Sequence, residues 1–211
     1  MDLINIRRNY SNSKIDFKNL EKDPIRFFVQ WLEDILEINK HEGNACVLST
    51  VSSIQRPSSR VVLLKSVTER GFVFFTNYES SKSVDIEGNN HVALNFYWPE
   101  LERQVRVSGT AEKIATKESD DYFKSRPRES QIGAWLSPQS TFIDFEYDFK
   151  ISADELDDKF KDREINRPFN WGGYCVIPNS IEFWQGRPSR LHDRLFYKFD
   201  GKSWCINRLA P

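Results

Sequence analysis

The stretch Ser58-Ser59-Arg60-Val61-Val62-Leu63-Leu64-Lys65-Ser66-Val67 decides how the rest of the chain is read. It is β-branched and apolar, and the Arg56-Pro57 and Arg70-Gly71 turns bound it, so it reads as a strand over 58–67. Runs of the same kind lie on either side at short spacing. ACVLSTV (45–51) precedes it, and GFVFFTN (71–77), HVALNFYW (91–98) and ERQVRVSGTAEKI (102–114) follow. Many strands with few helices between them imply an antiparallel sheet or barrel rather than a doubly wound fold.

Working outward, Asp23-Pro24 looks like an N-cap followed by proline at the first helical position. Ile25, Phe28, Leu32, Ile35 and Leu36 then recur at helical spacing, with Gly43 suited to the position after the helix end. Short helices are predicted after Ser80 or Ser81, over 116–125, over 130–135 and over 151–163. In the last of these, Glu155/Lys159 and Asp157/Lys161 stand at i,i+4. Strands resume at 172–177, 181–186, 190–199 and 203–209. Residues 1–20 are polar without a clear period and read as a flexible arm. Residues 21–211 read as one domain, a mainly β, α+β fold in which a barrel of six to eight strands is decorated by helices.

Composition narrows the function. Thirty Lys and Arg against 31 Asp and Glu leave a net charge of −1, so no global field draws the chain to nucleic acid or to an anionic membrane. No run is long and apolar enough for a signal peptide or a membrane span. The three cysteines are far apart and the three histidines widely separated, which fits reduced thiols in the cytoplasm and argues against a metal site.

Three clusters carry chemistry. Arg60 and Lys65, at the ends of an apolar strand, fall on opposite faces at a period of two; phosphate is a common partner for such cations, but cations at strand ends can equally reach water. Tyr122, Arg126 and Ser130 stand four residues apart, and a guanidinium with two hydroxyls can satisfy a phosphate; read alone, a solvated helix end is the plainer account. Arg190, His192 and Arg194 project to one face if 190–199 is a strand, and need an anionic ligand or carboxylates on a neighbouring strand.

These residues also carry a resemblance. RVVLLK, GFVFFTNYESSK, LERQVRVSG, SRPRESQIGAWLSPQS, WGGY, IEFWQG, RLHDR and the final RLAP resemble, in order and spacing, the signature segments of pyridoxamine (pyridoxine) 5′-phosphate oxidases. The likeness runs from about Arg60 to Pro211, and Arg7-Arg8-Asn9-Tyr10 is similar to that family's N-terminal segment. It implies an FMN-binding split β-barrel of Greek-key type, a homodimer with FMN at the interface. The implied activity oxidises pyridoxine or pyridoxamine 5′-phosphate to pyridoxal 5′-phosphate with O2 as acceptor and H2O2 as product. Implied FMN contacts are Arg60, Val61, Val62, Leu63, Leu64 and Lys65, then Phe75, Thr76, Ser81 and Lys82, then Gln104, Gln139, Ser140, Trp184 and Arg194. The vitamer phosphate would lie against Lys65, Tyr122, Arg126 and Ser130. Arg190 and His192 would flank its ring as catalytic residues, with Arg7 and Tyr10 as a lid.

One departure is visible. Many members carry Arg-Lys where this chain has Ser81-Lys82. A hydrogen bond to a charged group contributes about 1.5–3 kcal/mol, so weaker FMN binding is expected here. Two alternatives stand beside the oxidase: a split-barrel flavin reductase for another small molecule, and a non-enzymatic protein that binds FMN or pyridoxal phosphate.

Overall fold

Asp23 does cap the first helix, α1 (Pro24–Ile38): its carboxylate accepts from the backbone N–H groups of Ile25 and Arg26. Phe28, Trp31 and Ile35 form its buried stripe. Trp31 takes a place that the sequence pattern assigns to Leu32, which is only half-buried. The helix stops at Asn39 instead of running on to Gly43. The computed structural model describes residues 1–5, 8–161 and 163–211, and among these no helix is long and apolar enough to cross a membrane.

The strands are β1 (Ala45–Val51), β2 (Pro57–Leu63), β3 (Ser66–Thr68), β4 (Gly71–Asn77), β5 (His91–Trp98), β6 (Arg103–Lys113), β7 (Trp171–Gln185), β8 (Asp193–Phe199) and β9 (Trp204–Arg208). Helix α2 (Ser81–Gly88) sits between β4 and β5. Helices α3 (Thr116–Ser125), α4 (Arg128–Leu136) and α5 (Phe149–Lys159) fill the gap between β6 and β7. The mainly β architecture with flanking helices is therefore the one expected, with nine strands in one antiparallel sheet rather than six to eight.

The strand order β2-β1-β5-β6-β7-β4-β3 explains the shape. Its two outer strands, β2 and β3, are consecutive in the chain and separated only by Leu64 and Lys65. The sheet must curl until its ends meet there. At that seam the backbone changes partners: Leu64 N–H donates to Asn44, across β1, while Lys65 N–H donates to Val73 in β4. The stretch predicted as one strand is thus two, and strict alternation from Arg60 to Lys65 is lost at the break.

Strand β7 is also not two short strands but one of 15 residues. It runs beside β6 from Tyr174 to Gln185, pairs with β4 over Trp171–Val176, and then with β8 over Ser180–Gln185. A register shift at Ser108/Gly109 lets it bend past Pro178. Gly109 is required there, because a Cβ would lie 2.0 Å from the Ile177 carbonyl oxygen. Helix α5 begins earlier than predicted because Asp148 caps it, and Asp157 pairs with Arg128 of α4 rather than with Lys161.

The barrel interior is aromatic. Phe28 of α1 packs edge-on to Phe72 at 4.8 Å and to Phe96 at 4.9 Å, and Phe183 lies beneath Phe27 and Trp31. A smaller cluster of Phe123, Ile132, Ile165 and Trp171 anchors α3 and α4 to the sheet. The first 20 residues are more closely held than a free arm would be: Ile15 is buried in the main core, and its N–H donates to Asp193. Phe28→Ala should lower stability by about 3–5 kcal/mol, read as a lower urea midpoint at unchanged m-value.

Candidate functional site

Pro127 bars Arg126 from continuing helix α3, and Arg126 adopts extended backbone, φ −74° and ψ 147°. The chain turns there and re-enters as α4, whose first turn carries Ser130 and whose next residues include the small Gly133 and Ala134. This turn faces β2, β4 and the seam across a cavity of about 450 Å³. Its walls include Val61, Val62, Leu63, Lys65, Phe75, Thr76, Lys82, Tyr122, Arg126, Ser130 and Gln139. All of these were picked out in the sequence. Asn77, Gly133, Ala134, Ser137 and Trp171 join them; all five lie within the motif segments, but no local pattern marks them individually as site residues.

Three cations line this cavity without carboxylate partners among the described residues: the exposed Lys65 and the half-buried Lys82 and Arg126. Lys82 donates to three neutral oxygens: Gln139 Oε1 at 2.8 Å, Ser80 Oγ at 2.9 Å and Thr76 Oγ1 at 3.0 Å. Burial, and then the charge of nearby Arg60, push its ammonium down to about 8. Arg126 lies 4.6 Å from the Trp171 ring centroid, and its buried Nη1 has no hydrogen-bond partner. Burial lowers its pKa as well. Tyr122, stacked on Phe75 at 3.9 Å, has a phenol raised by burial and partly offset by Arg126. A buried cation without a counter-charge is costly, and an anion in the cavity would relieve the cost.

The other predicted cofactor residues are placed differently. Arg60 does not line the cavity: it donates to Thr50 and Leu48 and lies 3.9 Å from Asp85, while its charge acts on Lys82. Leu64 is buried in the core. Ser81 and Ser140 are exposed, Ser140 with φ 71° beside Gln139.

Arg190 and His192 line a second cavity, of about 610 Å³, with Arg8, Asn9, Tyr10, Arg187 and Ser189. They do not belong to a strand. Pro188–Arg190 is a 3-10 turn in which Ser189 and Arg190 have φ of 55° and 61°, and β8 begins only at Asp193. The predicted common face with Arg194 is therefore absent. Arg194 instead pairs in register with Trp184, and its guanidinium donates to Glu182 at 2.8 Å and to the Ala210 carbonyl. Burial alone would raise the Glu182 carboxyl, but hydrogen bonds from Arg194 and Arg106 bring it below its ordinary value. Trp184 lies 4.6 Å from His192, and Gln104 is its neighbour across the sheet.

The backbone N–H of Arg187 donates to His192 Nδ1 at 3.1 Å. The neutral ring consequently carries its proton on Nε2. Burial and the charge of Arg190 push its pKa below the ordinary value, against a smaller pull from Asp193. Arg7 lies outside the described residues; Tyr10 sits edge-on to Trp184 at 5.5 Å and to His192 at 5.6 Å.

The two cavities lie at opposite ends of β7, one at Trp171 and the other at Trp184. At about 3.3 Å per residue, roughly 40 Å of strand separates those ends.

Comparison with known proteins adds the following. A family model for pyridoxamine 5′-phosphate oxidase matches residues 32–171, and one for the pyridoxine 5′-phosphate oxidase C-terminal dimerisation region matches 171–211. The pyridoxine/pyridoxamine 5′-phosphate oxidase of Rubrobacter xylanophilus is 50% identical over 210 residues, covering 100% of this chain and 97% of the relative. Among solved structures, PhzG from Burkholderia lata 383, in complex with tetrahydrophenazine-1-carboxylic acid, superposes with a TM-score of 0.87 at 28% identity, covering 95% of this chain and 100% of that one. A pyridoxamine 5′-phosphate oxidase-related, FMN binding protein from Nostoc punctiforme shares the fold alone, at TM-score 0.73 and 15% identity, with 91% of this chain and 100% of that one covered.

A phosphate monoester should bind the first cavity best with Lys82 protonated. Its affinity should fall as pH rises through about 8, and Lys82→Met should flatten that dependence; calorimetric titration of the protein freed of bound cofactor checks both.

Proposed function

The chain belongs to the pyridoxamine 5′-phosphate oxidase family, and from that premise we propose that it oxidises pyridoxine or pyridoxamine 5′-phosphate to pyridoxal 5′-phosphate, using FMN and O2 and releasing H2O2. The observation that carries this reading is one cavity lined by Lys65, Lys82 and Arg126, none of which has a carboxylate partner among the described residues. Two anions would find counter-charges there, and the substrate and FMN each have a phosphate.

The residues present fit FMN. Lys82, with Thr76 and Gln139 gathered around its ammonium, would hold the phosphate, and Arg60 would add charge from behind. The exposed Val61 and Leu63, 66% and 44% accessible, offer an apolar wall for a flat ring. Ser81 adds no charge here. When bound, FMN supplies the two-electron acceptor, so the protein's own work is to bind and orient the vitamer. Lys65, Tyr122, Arg126 and Ser130 would grip its phosphate with two charges and two hydroxyls.

Arg190 and His192 would face the ring. With Nδ1 occupied by the Arg187 N–H, His192 would act as a donor through Nε2 to a ring substituent, with Arg190 stabilising negative charge. These residues lie at the far end of β7 from the phosphate grip, so the complete site takes them, with Gln104, Trp184 and Arg194, from a second copy of the chain. A homodimer with FMN at its interface meets this need, and the match of 171–211 to a dimerisation region supports it.

The PhzG likeness supports a second reading, oxidation of a larger aromatic carboxylate. A grip of two cations and two hydroxyls exceeds what one carboxylate needs, which favours the phosphorylated vitamer. Anaerobic bleaching of the flavin by pyridoxine phosphate, and not by unphosphorylated pyridoxine, tests the choice; bleaching by neither would overturn the proposal.

Arg126→Ala should raise KM for pyridoxine phosphate far more than it lowers kcat, whereas His192→Asn should slow flavin reduction in a single turnover. At a pyridoxine phosphate concentration well below the raised KM, mixing the two impaired variants should increase activity through hybrid dimers that each hold one intact site. Failure of the mixture to regain activity, with exchange of subunits demonstrated, would argue against a shared site.

A further inference from the structure

Glu102 stands in the turn between β5 and β6 with φ 54°, a left-handed conformation that a non-glycine residue adopts at a cost. Its side chain is only 3% exposed. The carboxylate accepts from two consecutive backbone N–H groups, Ser11 at 2.7 Å and Asn12 at 2.9 Å, and from the Arg8 guanidinium at 3.4 Å. Its own carbonyl accepts from Gly186 N–H at 2.7 Å, beside the turn that carries Arg190 and His192. One residue therefore ties the N-terminal segment and the second cavity to the same point.

The segment held this way delivers Tyr10. Its ring packs against Trp184 and His192, directly over Gly186, where a Cβ would lie 2.7 Å from the tyrosine ring. Glycine is needed at 186 for the aromatic seat and not for its backbone angle. Further along, Asp193 accepts from Ile15 N–H, and Arg187 donates to the Ser13 carbonyl at 2.8 Å, so the segment from Ser11 to Ile15 is fixed to the sheet.

We infer that Glu102 is a positioning residue: a buried latch that holds residues 8–12 so that Tyr10 closes over His192 and Trp184. The inference rests on the proposed reading in one respect, that Tyr10 faces the vitamer. The latch itself does not depend on the substrate. Both N–H groups donate to one oxygen, Oε2, while Oε1 takes the Arg8 guanidinium, and a neutral amide can accept on only one of these two sides. Gln in its place would keep the volume and the backbone acceptor but turn an NH2 group toward a donor.

The test uses the full-length, FMN-loaded protein. In Glu102→Gln, tryptic cleavage after Arg8 should become about tenfold faster or more, with flavin content and Tm unchanged. KM for pyridoxine phosphate should rise by a similar factor, with kcat altered less than about threefold. Gly186→Ala, which dislodges Tyr10 while leaving Glu102 intact, should raise KM in the same way, and it serves if Glu102→Gln fails to fold. In a Tyr10→Ala background, Glu102→Gln should no longer change KM, because the ring it positions is gone. Unchanged cleavage after Arg8 in Glu102→Gln would overturn the latch. Faster cleavage with unchanged KM, or effects of Tyr10→Ala and Glu102→Gln that simply add, would overturn the positioning role. If the protein oxidises no phosphorylated vitamer at all, the proteolysis result still decides the latch, and the failure belongs to the proposed activity.

Discussion

A strand of 15 residues must find partners for its backbone along its whole length, and β7 does so with β6 on one side and with β4 and then β8 on the other. The change of partner needs the bend at Gly109 and Pro178, and it gives the barrel two ends with different furniture. Helices α3 and α4 settle on the Trp171 end through a small apolar cluster. The N-terminal segment and the 3-10 turn settle on the Trp184 end. Strand length thereby keeps the Arg126 cavity and the His192 cavity apart within one chain.

The charges divide along the same line. The buried carboxylates are satisfied: Glu182 between Arg106 and Arg194, Asp193 beside Arg187 and Arg208, and Glu102 on the N-terminal segment. Such pairs hold loops and strand ends in place. In the first cavity, by contrast, Lys82 and Arg126 meet only neutral or aromatic groups among the described residues. Folding sustains that arrangement because the aromatic and amide walls soften the cost, and the remaining cost is what an anionic ligand removes.

Much of this was legible in the chain. The cap at Asp23 and the strands at 45–51, 71–77 and 91–98 follow from local period and breakers, while eleven of the residues lining the first cavity are those that the family resemblance implies. The misreadings share a cause. Lys65 leaves the strand of Arg60 because β2 and β3 pair with different neighbours, which no local pattern records. Arg194 was grouped with Arg190 and His192 by alternation, yet Ser189 and Arg190 take left-handed angles and break the count. Glu102 drew no attention because a single acid in a turn has no periodic signature; its importance comes from Ser11 and Asn12, about ninety residues away in the chain.

The sequence by itself determined where most of the strands and helices lie, and which side chains have the chemistry to meet a phosphate, because those properties depend on side-chain type and on neighbours within a few residues. Only the tertiary structure decided which charged groups share a cavity and which are neutralised by a carboxylate. It also placed the Arg126 and His192 cavities at opposite ends of β7. Pairing between distant strands sets those outcomes, since a hydrogen bond or an ion pair depends on distance through space, and the order of residues along a chain does not specify that distance.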